Sequence, residues 1–321
     1  MARHDDAKRW SAPTSSARWS LLEMGYATRT RNDYLRAVDR FTRWCSDHGA
    51  RAATFDELDD LLADYIQSTY INREGKGRQQ CVCTLSGIVL LMPRAEGKLL
   101  VSGRMLHSWR KAVPSVSYPP LTWDLTVLIA VQMIRAGHYR FAVATVLGFD
   151  CLLRINELLS LRARNFADAK DARLGSEYKL TSIEIERAKT GKEQSVDLRD
   201  DAVKSLVRAL VRQTKPNELL FPGGDKKYRK LFHQCCAELG LSRSYVPHSL
   251  RHGGATRLVL LGWTIESIMA RGRWVASTSC RKYLQSAKAV AIATPVPAQV
   301  HAVASVLASD LCLSFARAQS H

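Results

Sequence analysis

VPHSLRHGGATRLVLLG, residues 246–262, reads as a helix introduced by a proline and stopped by a glycine. Pro247 stands at the first helical position, where its missing N–H is not needed, Leu250, Leu258 and Leu261 follow at helical spacing, and Gly262 lies just past the end. On that helix His248 and Arg251 are three residues apart and share a face. A planar guanidinium beside an imidazole suits a phosphodiester: the fork neutralises two non-bridging oxygens while the ring handles a proton near pH 7.

GRWVASTSCRKYLQ (272–285) places Trp274 nine residues before Tyr283, with Ser277 and Thr278 able to start the short helix that presents the tyrosine. A tyrosine is a poor nucleophile at neutral pH and needs a base and cations around the phenolate. Upstream, LLRINELLSL (152–161) sets Arg154 and Glu157 three apart, so the carboxylate can hold the guanidinium rigid. Between them, ERAKTGKEQ (186–194) puts Lys189 at a turn, where a flexible ammonium reaches a leaving oxygen. Taken singly, each also fits an ordinary role: a helix-surface His and Arg, core aromatics at a helix boundary, a surface ion pair, a solvated turn lysine.

The rest of the chain supplies the frame. Leu180 to Arg187, where Ile183 and Ile185 alternate with Glu184 and Glu186, and Gln194 to Leu198 predict two strands joined around Thr190 and Gly191. Thr122 caps a helix through Ile134 that Gly137 ends, and Tyr139 to Leu147 makes another that Gly148 stops. Pro114, Ser115, Ser117, Pro119 and Pro120 form a stretch that cannot be helical, and the expected linker is 114–120. Before it, four helices are predicted: Thr30 to Cys45, one capped by Thr54 with Glu57, Gln79 to Leu91, and Gly103 to Val113. After Tyr283 come a Pro-x-Pro break at Pro295 and Pro297 and a helical pattern of Val303, Val306, Leu307, Leu311 and Leu313. The fold class is mainly α with a small antiparallel β-sheet, divided as a helical bundle (1–113), the linker, a second domain (121–286) and a C-terminal tail (287–321).

Composition narrows the partner. The 321 residues carry 47 Lys plus Arg against 30 Asp plus Glu, a net charge of +17 with 46% hydrophobic residues, which excludes a disordered chain and calls for a polyanion, nucleic acid first, with an anionic membrane or a solvated surface as alternatives. Arg29, Arg31, Arg36, Arg40, Arg43, Arg73, Lys76 and Arg78 give the N-terminal bundle a basic face suited to a phosphate backbone. No apolar run is long enough to span a bilayer, so an intracellular protein that does not bind membrane is expected. The eight scattered cysteines lack zinc-ligand spacing and read as reduced thiols in or near cores; neither metal nor cofactor is expected.

In their order, Arg-x-x-Glu, a hairpin Lys, His-x-x-Arg, Trp, and Tyr nine residues later, these residues resemble the catalytic set of the tyrosine recombinases, the phage integrase family. The resemblance spans about 121–285, and TRTRNDYLRAVDRFTRWC (28–45) is similar to the opening of the family's core DNA-binding domain. One departure is Trp274, where most members have His; its indole N–H donates to the same phosphate oxygen but moves no proton. His252 after Arg251 and Lys192 after Lys189 stand as neighbouring alternatives.

The resemblance implies that Tyr283 attacks a DNA phosphodiester to form a 3′-phosphotyrosyl link without metal or ATP. Arg154 and Arg251 would clamp the phosphate with Glu157 orienting Arg154, Lys189 would protonate the leaving 5′ oxygen, His248 would take the tyrosine proton, and Trp274 would pack and hydrogen-bond beside the phosphate. It also implies double-stranded DNA with inverted half-sites as partner, four protomers on two sites, and a tail that docks on an adjacent subunit or folds back on its own. Trp274 and FPGGDKKYRKLF (221–232) resemble recombinases of DIRS- or Crypton-type mobile elements, which leaves bacterial cytoplasm or eukaryotic nucleus as the location. Type IB topoisomerases share the tyrosine chemistry, and a recombinase-derived DNA-binding protein without catalysis is the other alternative.

Overall fold

The computed structural model describes residues 25–114, 118–169, 171, 173–175, 177, 179–186, 194–277, 280–281, 292 and 294–320. The chain divides into two compact units, Met1–Val116 and Ser117–His321. The described residues are mainly helical with one small antiparallel sheet.

In the first unit, α1 (Thr28–Asp47), α2 (Phe55–Asn72), α3 (Arg78–Leu91) and α4 (Leu100–Ala112) form a bundle. Its core is Val38, Phe41, Leu58, Leu62, Ile66, Cys81, Ile88, Leu106 and Trp109. α1 lies directly on α3 because Gly87 has no side chain: a Cβ there would stand 2.6 Å from Val38 Cγ2 and 2.9 Å from the Tyr34 carbonyl oxygen. Thr54 caps α2 by accepting from the Glu57 N–H at 3.2 Å, but the Glu57 carboxylate returns to the Ala53 N–H at 2.6 Å, one residue earlier than a reciprocal box requires. α4 has no local cap. Asp59, 4% exposed on α2, accepts from the Val101 and Ser102 N–H groups at 2.7 and 2.9 Å and ties the two helices together.

The second unit is built on α5 (Trp123–Arg135) and α6 (Tyr139–Asp150), which pack on each other and are buried nearly all round. Such helices form the centre of a domain. Around them follow α7 (Ile155–Ser160), β1 (Phe166–Ala167), β2 (Ser182–Ile185), β3 (Gln194–Asp197), α8 (Asp201–Arg212), α9 (Gly224–Glu238), α10 (His248–Leu260), α11 (Ile265–Gly272), α12 (Ala298–Ser309) and α13 (Leu311–Gln319). The sheet has the order β1-β2-β3, antiparallel throughout, with Ile183 opposite both Phe166 and Val196. Ile183 and Ile185 face the core at 1% and 2% exposure.

Several expectations change. Gly148 does not stop α6; it sits inside the helix, where a Cβ would crowd Leu158 Cδ2 at 3.2 Å, so it is a packing glycine. β1 is too short to show alternation in sequence and is held by pairing with β2. Leu261 is 64% exposed. In the tail, Val303, Val306 and Leu313 face outward, whereas Ala304, Leu311, Phe315 and Ala318 join the main core. α12 packs on α5, and α13, bent by 101° from it, packs on α5 and α8 of the same chain. Among the described cysteines Cys312 is exposed rather than in a core. No single helix among the described residues is long and apolar enough to cross a membrane.

Candidate active site

α6 ends at Asp150, the chain turns through Leu152 at φ 51°, and Arg154 in extended conformation opens α7. Glu157, one turn into α7 and 3% exposed, accepts from the Arg154 N–H at 2.9 Å and from its guanidinium at 2.6 Å. The carboxylate of the expected pair is therefore buried while Arg154 is half-buried, and a second cation reaches Glu157: Arg273 Nη2 donates to its Oε2 at 2.7 Å. Burial would push the Glu157 carboxyl up, but Arg273 and the Arg154 donors outweigh it and hold the pKa below the usual value.

α10 brings the next two groups. His248 opens the helix and Arg251 follows one turn later. Arg251 is 1% exposed; it donates through Nη1 to the Leu152 carbonyl and through Nη2 to the Gly272 carbonyl. Two of a guanidinium's five donors thus fix its plane. Its face lies 4.2 Å from the centre of the Trp274 ring, a cation–π contact.

The last segment closes the site. α11 ends at Gly272, and Arg273 adopts the left-handed conformation, φ 56°. The Trp274 N–H then returns to the Met269 carbonyl at 3.0 Å. A Cβ on Gly272 would lie 1.8 Å from the Trp274 ring; glycine there lets the indole fold back beneath Arg251. Arg271 pins the segment from the other side, donating to the carbonyls of Asp197 at 2.8 Å and Asp150 at 2.7 Å.

Arg154, Glu157, His248, Arg251 and Trp274 are thus associated in one site: the Arg154 guanidinium reaches the Arg273 carbonyl at 3.4 Å, and His248 lies in the field of Arg251, Arg154 and Arg229. Burial first and these cations second lower the His248 pKa to about 4. The ring is held neutral at pH 7, with a free lone pair but a lowered basicity, rather than half-charged near neutrality. His252, its ring centre 4.9 Å away, is lowered to about 3 by burial, His248 and Arg251. Lys189, Lys192 and Tyr283 lie outside the described residues.

On the N-terminal unit, Arg29, Arg36, Arg40 and Arg43 are exposed along one stripe of α1, with Arg43 paired to Asp39. Arg31 is half-buried. Arg73 and Lys76 are exposed between α2 and α3, while the Arg78 Nε is committed to the Leu106 carbonyl at 2.9 Å. Sequence reading missed Arg104, His107 and Lys111, exposed on one face of α4; their three- and four-residue spacing was the available signal. Arg271 and Arg273 were missed as well, because their partners are far away in sequence.

The second unit carries the signature of the Phage integrase family over residues 126–289, half of the chain, and the protein belongs to that family. In fold it resembles a lambda integrase dimer bound to a COC′ core site, at 17% identity and TM-score 0.60, over 82% of this chain and 91% of that one. It also resembles the Tn1549 transposon integrase in complex with circular intermediate DNA, at 13% identity and TM-score 0.55, over 81% and 98%. A comparison with curated proteins gave no match.

Proposed function

We propose that the protein is a site-specific DNA recombinase that cuts and rejoins strands through a 3′-phosphotyrosyl intermediate on Tyr283. The observation that carries this reading is the convergence of Arg154, Glu157, Arg251 and Trp274, from three separate stretches of sequence, beside a neutral His248. The Tyr283 phenol oxygen attacks the phosphorus while His248 takes its proton; the bond to the 5′ oxygen breaks and Lys189 protonates that oxygen. The free 5′-hydroxyl of a partner strand then attacks the phosphotyrosine and releases the tyrosine. The bond energy is conserved, so the reaction needs no ATP, and the cations supply the electrostatics without a metal.

Arg154 and Arg251 stabilise the charge that develops on the non-bridging oxygens. Trp274 keeps Arg251 in plane and offers its indole N–H to the phosphate. The exposed arginines of α1, with Arg73 and Lys76, follow the backbone of duplex DNA. Inverted half-sites bound by four protomers on two sites complete the reading, which places the protein inside the cell.

The test is a nicked duplex that traps the cleaved state, its sequence recovered from a randomised pool by the protein. A covalent adduct is expected with the wild-type chain and none with Tyr283→Phe. Binding without an adduct would leave only a DNA-binding role, and relaxation of a plasmid that lacks the selected site would assign the tyrosine chemistry to a topoisomerase.

A further inference from the structure

Arg273 is a charge that local structure does not ask for. Its backbone is left-handed at φ 56°, a conformation that side-chain-bearing residues rarely adopt and glycine adopts freely. Its side chain is 5% exposed, and the carboxylate it meets is 2% exposed. Burying a guanidinium is costly unless it is paired. The pairing is specific: Nη2 to Glu157 at 2.7 Å, with further contacts from Nη1 to the Arg271 carbonyl at 3.1 Å and from Nη2 to the Leu152 carbonyl at 3.4 Å.

Glu157 was already satisfied by Arg154, which donates to both its oxygens. A carboxylate paired only with Arg154 would cancel the charge that Arg154 brings to a phosphate. With Arg273 present, one buried negative charge is shared by two guanidiniums and the cluster keeps a net positive charge. Arg273 is the more deeply buried of the two, whereas Arg154 keeps a quarter of its side chain accessible. The surplus charge therefore emerges at Arg154.

We propose that Arg273 is a positioning residue: it neutralises Glu157 from the buried side, so that Glu157 orients Arg154 without quenching it. The inference rests on the recombinase reading above, since it assigns to Arg154 a phosphate as ligand. The electrostatic gain at the neighbouring cation offsets the backbone cost of a side chain at a left-handed position.

The experiment compares the rate of adduct formation on the nicked duplex selected by the wild-type protein. Arg273→Gln is expected to slow it by about 10- to 100-fold, the range for loss of a group that supports a charged ligand. Arg273→Lys, which retains the charge, should recover most of that loss. The decisive variant is the double one, Glu157→Gln with Arg273→Gln: removing the carboxylate restores the net charge at Arg154, so it should react about tenfold or more faster than Arg273→Gln alone. A merely structural role predicts the reverse, because the double variant loses more buried hydrogen bonds. A circular dichroism spectrum and a cooperative melt like those of wild type show that a variant is folded; if Arg273→Gln does not fold, Arg273→Lys and the double variant are compared with Glu157→Gln.

A double variant slower than Arg273→Gln, or an Arg273→Gln protein at the wild-type rate, overturns the inference and leaves the recombinase reading standing. No adduct with the wild-type protein overturns both.

Discussion

Replacing Gly253 with alanine should unseat α10 and the site with it. An added Cβ would lie 1.8 Å from the carbonyl oxygen of Leu121 and within 2.9 Å of the backbone nitrogen of the same residue. Ordinary contact begins at 3.4 Å, so helix and backbone must part by about 1.6 Å. Neither side is free to yield. The Leu121 N–H is bonded to the Ser249 carbonyl at 3.1 Å, and a Cβ on Gly254 next along the helix would lie 2.3 Å from the Phe149 carbonyl oxygen, showing how closely α10 is seated there too.

Overpacking against backbone costs about 3 kcal/mol, at the upper end for inserted methyl groups, which lowers the midpoint of a unit this size by roughly 6–12 °C. Because Arg251 rides on α10, a displacement of more than about 1 Å should also slow adduct formation by roughly 100-fold or more. Thermal unfolding followed by circular dichroism and the nicked-duplex assay read the two effects. Gly103→Ala is the control: Gly103 lies in α4 with nothing within 4 Å of its Cβ position, so alanine there should raise stability by about 0.5–1 kcal/mol. A Gly253→Ala protein that melts within about 2 °C of wild type, less than 1 kcal/mol, would refute the close seating of α10.

Acid should weaken the second unit through its paired histidines. His252 has a folded pKa of about 3 against 6.5 as the ordinary value, so below pH 6.5 the unfolded chain takes up a proton that the folded chain refuses; stability is complete above that pH and has fallen by on the order of 3 kcal/mol at about pH 4. Unfolding measured between pH 7 and 4 should show this loss reduced in His252→Gln, and an unchanged slope would contradict it. Phe315→Ala, which empties a site 1% exposed in the main core, should cost about 3 kcal/mol; a midpoint that does not vary with protein concentration is expected for a tail docked within its own chain, and one that rises with concentration would indicate exchange. Arg36→Ala with Arg40→Ala should lower the slope of log binding constant against log salt by about 2 on duplex DNA, and an unchanged slope would remove the α1 stripe from the interface.

Much of the protein was legible in its sequence because the relevant signals are local. Helical periodicity located the bundle, cap and glycine signals located α5 and α6, and the three-residue spacing of Arg154 with Glu157 and of His248 with Arg251 put each pair on one helical turn. The glycines were harder. Gly148 reads as a helix stop, yet it is a contact point for Leu158, and only the partner helix reveals which of the two it is. The tail read as helical, but Val303, Val306 and Leu313 of the pattern face outward, because 14 of the 22 residues from 298 to 319 are apolar and more than one face could be buried.

What sequence determined by itself was the inventory: which elements form, and which chemically competent side chains they carry. Tertiary structure decided the electrostatics. The Glu157–Arg273 bond joins residues 116 apart, and the Arg251 bond to the Leu152 carbonyl spans 99. Whether a buried carboxylate meets one guanidinium or two, and whether a histidine among arginines stays neutral, depends on distances and desolvation that arise only when those segments close on each other.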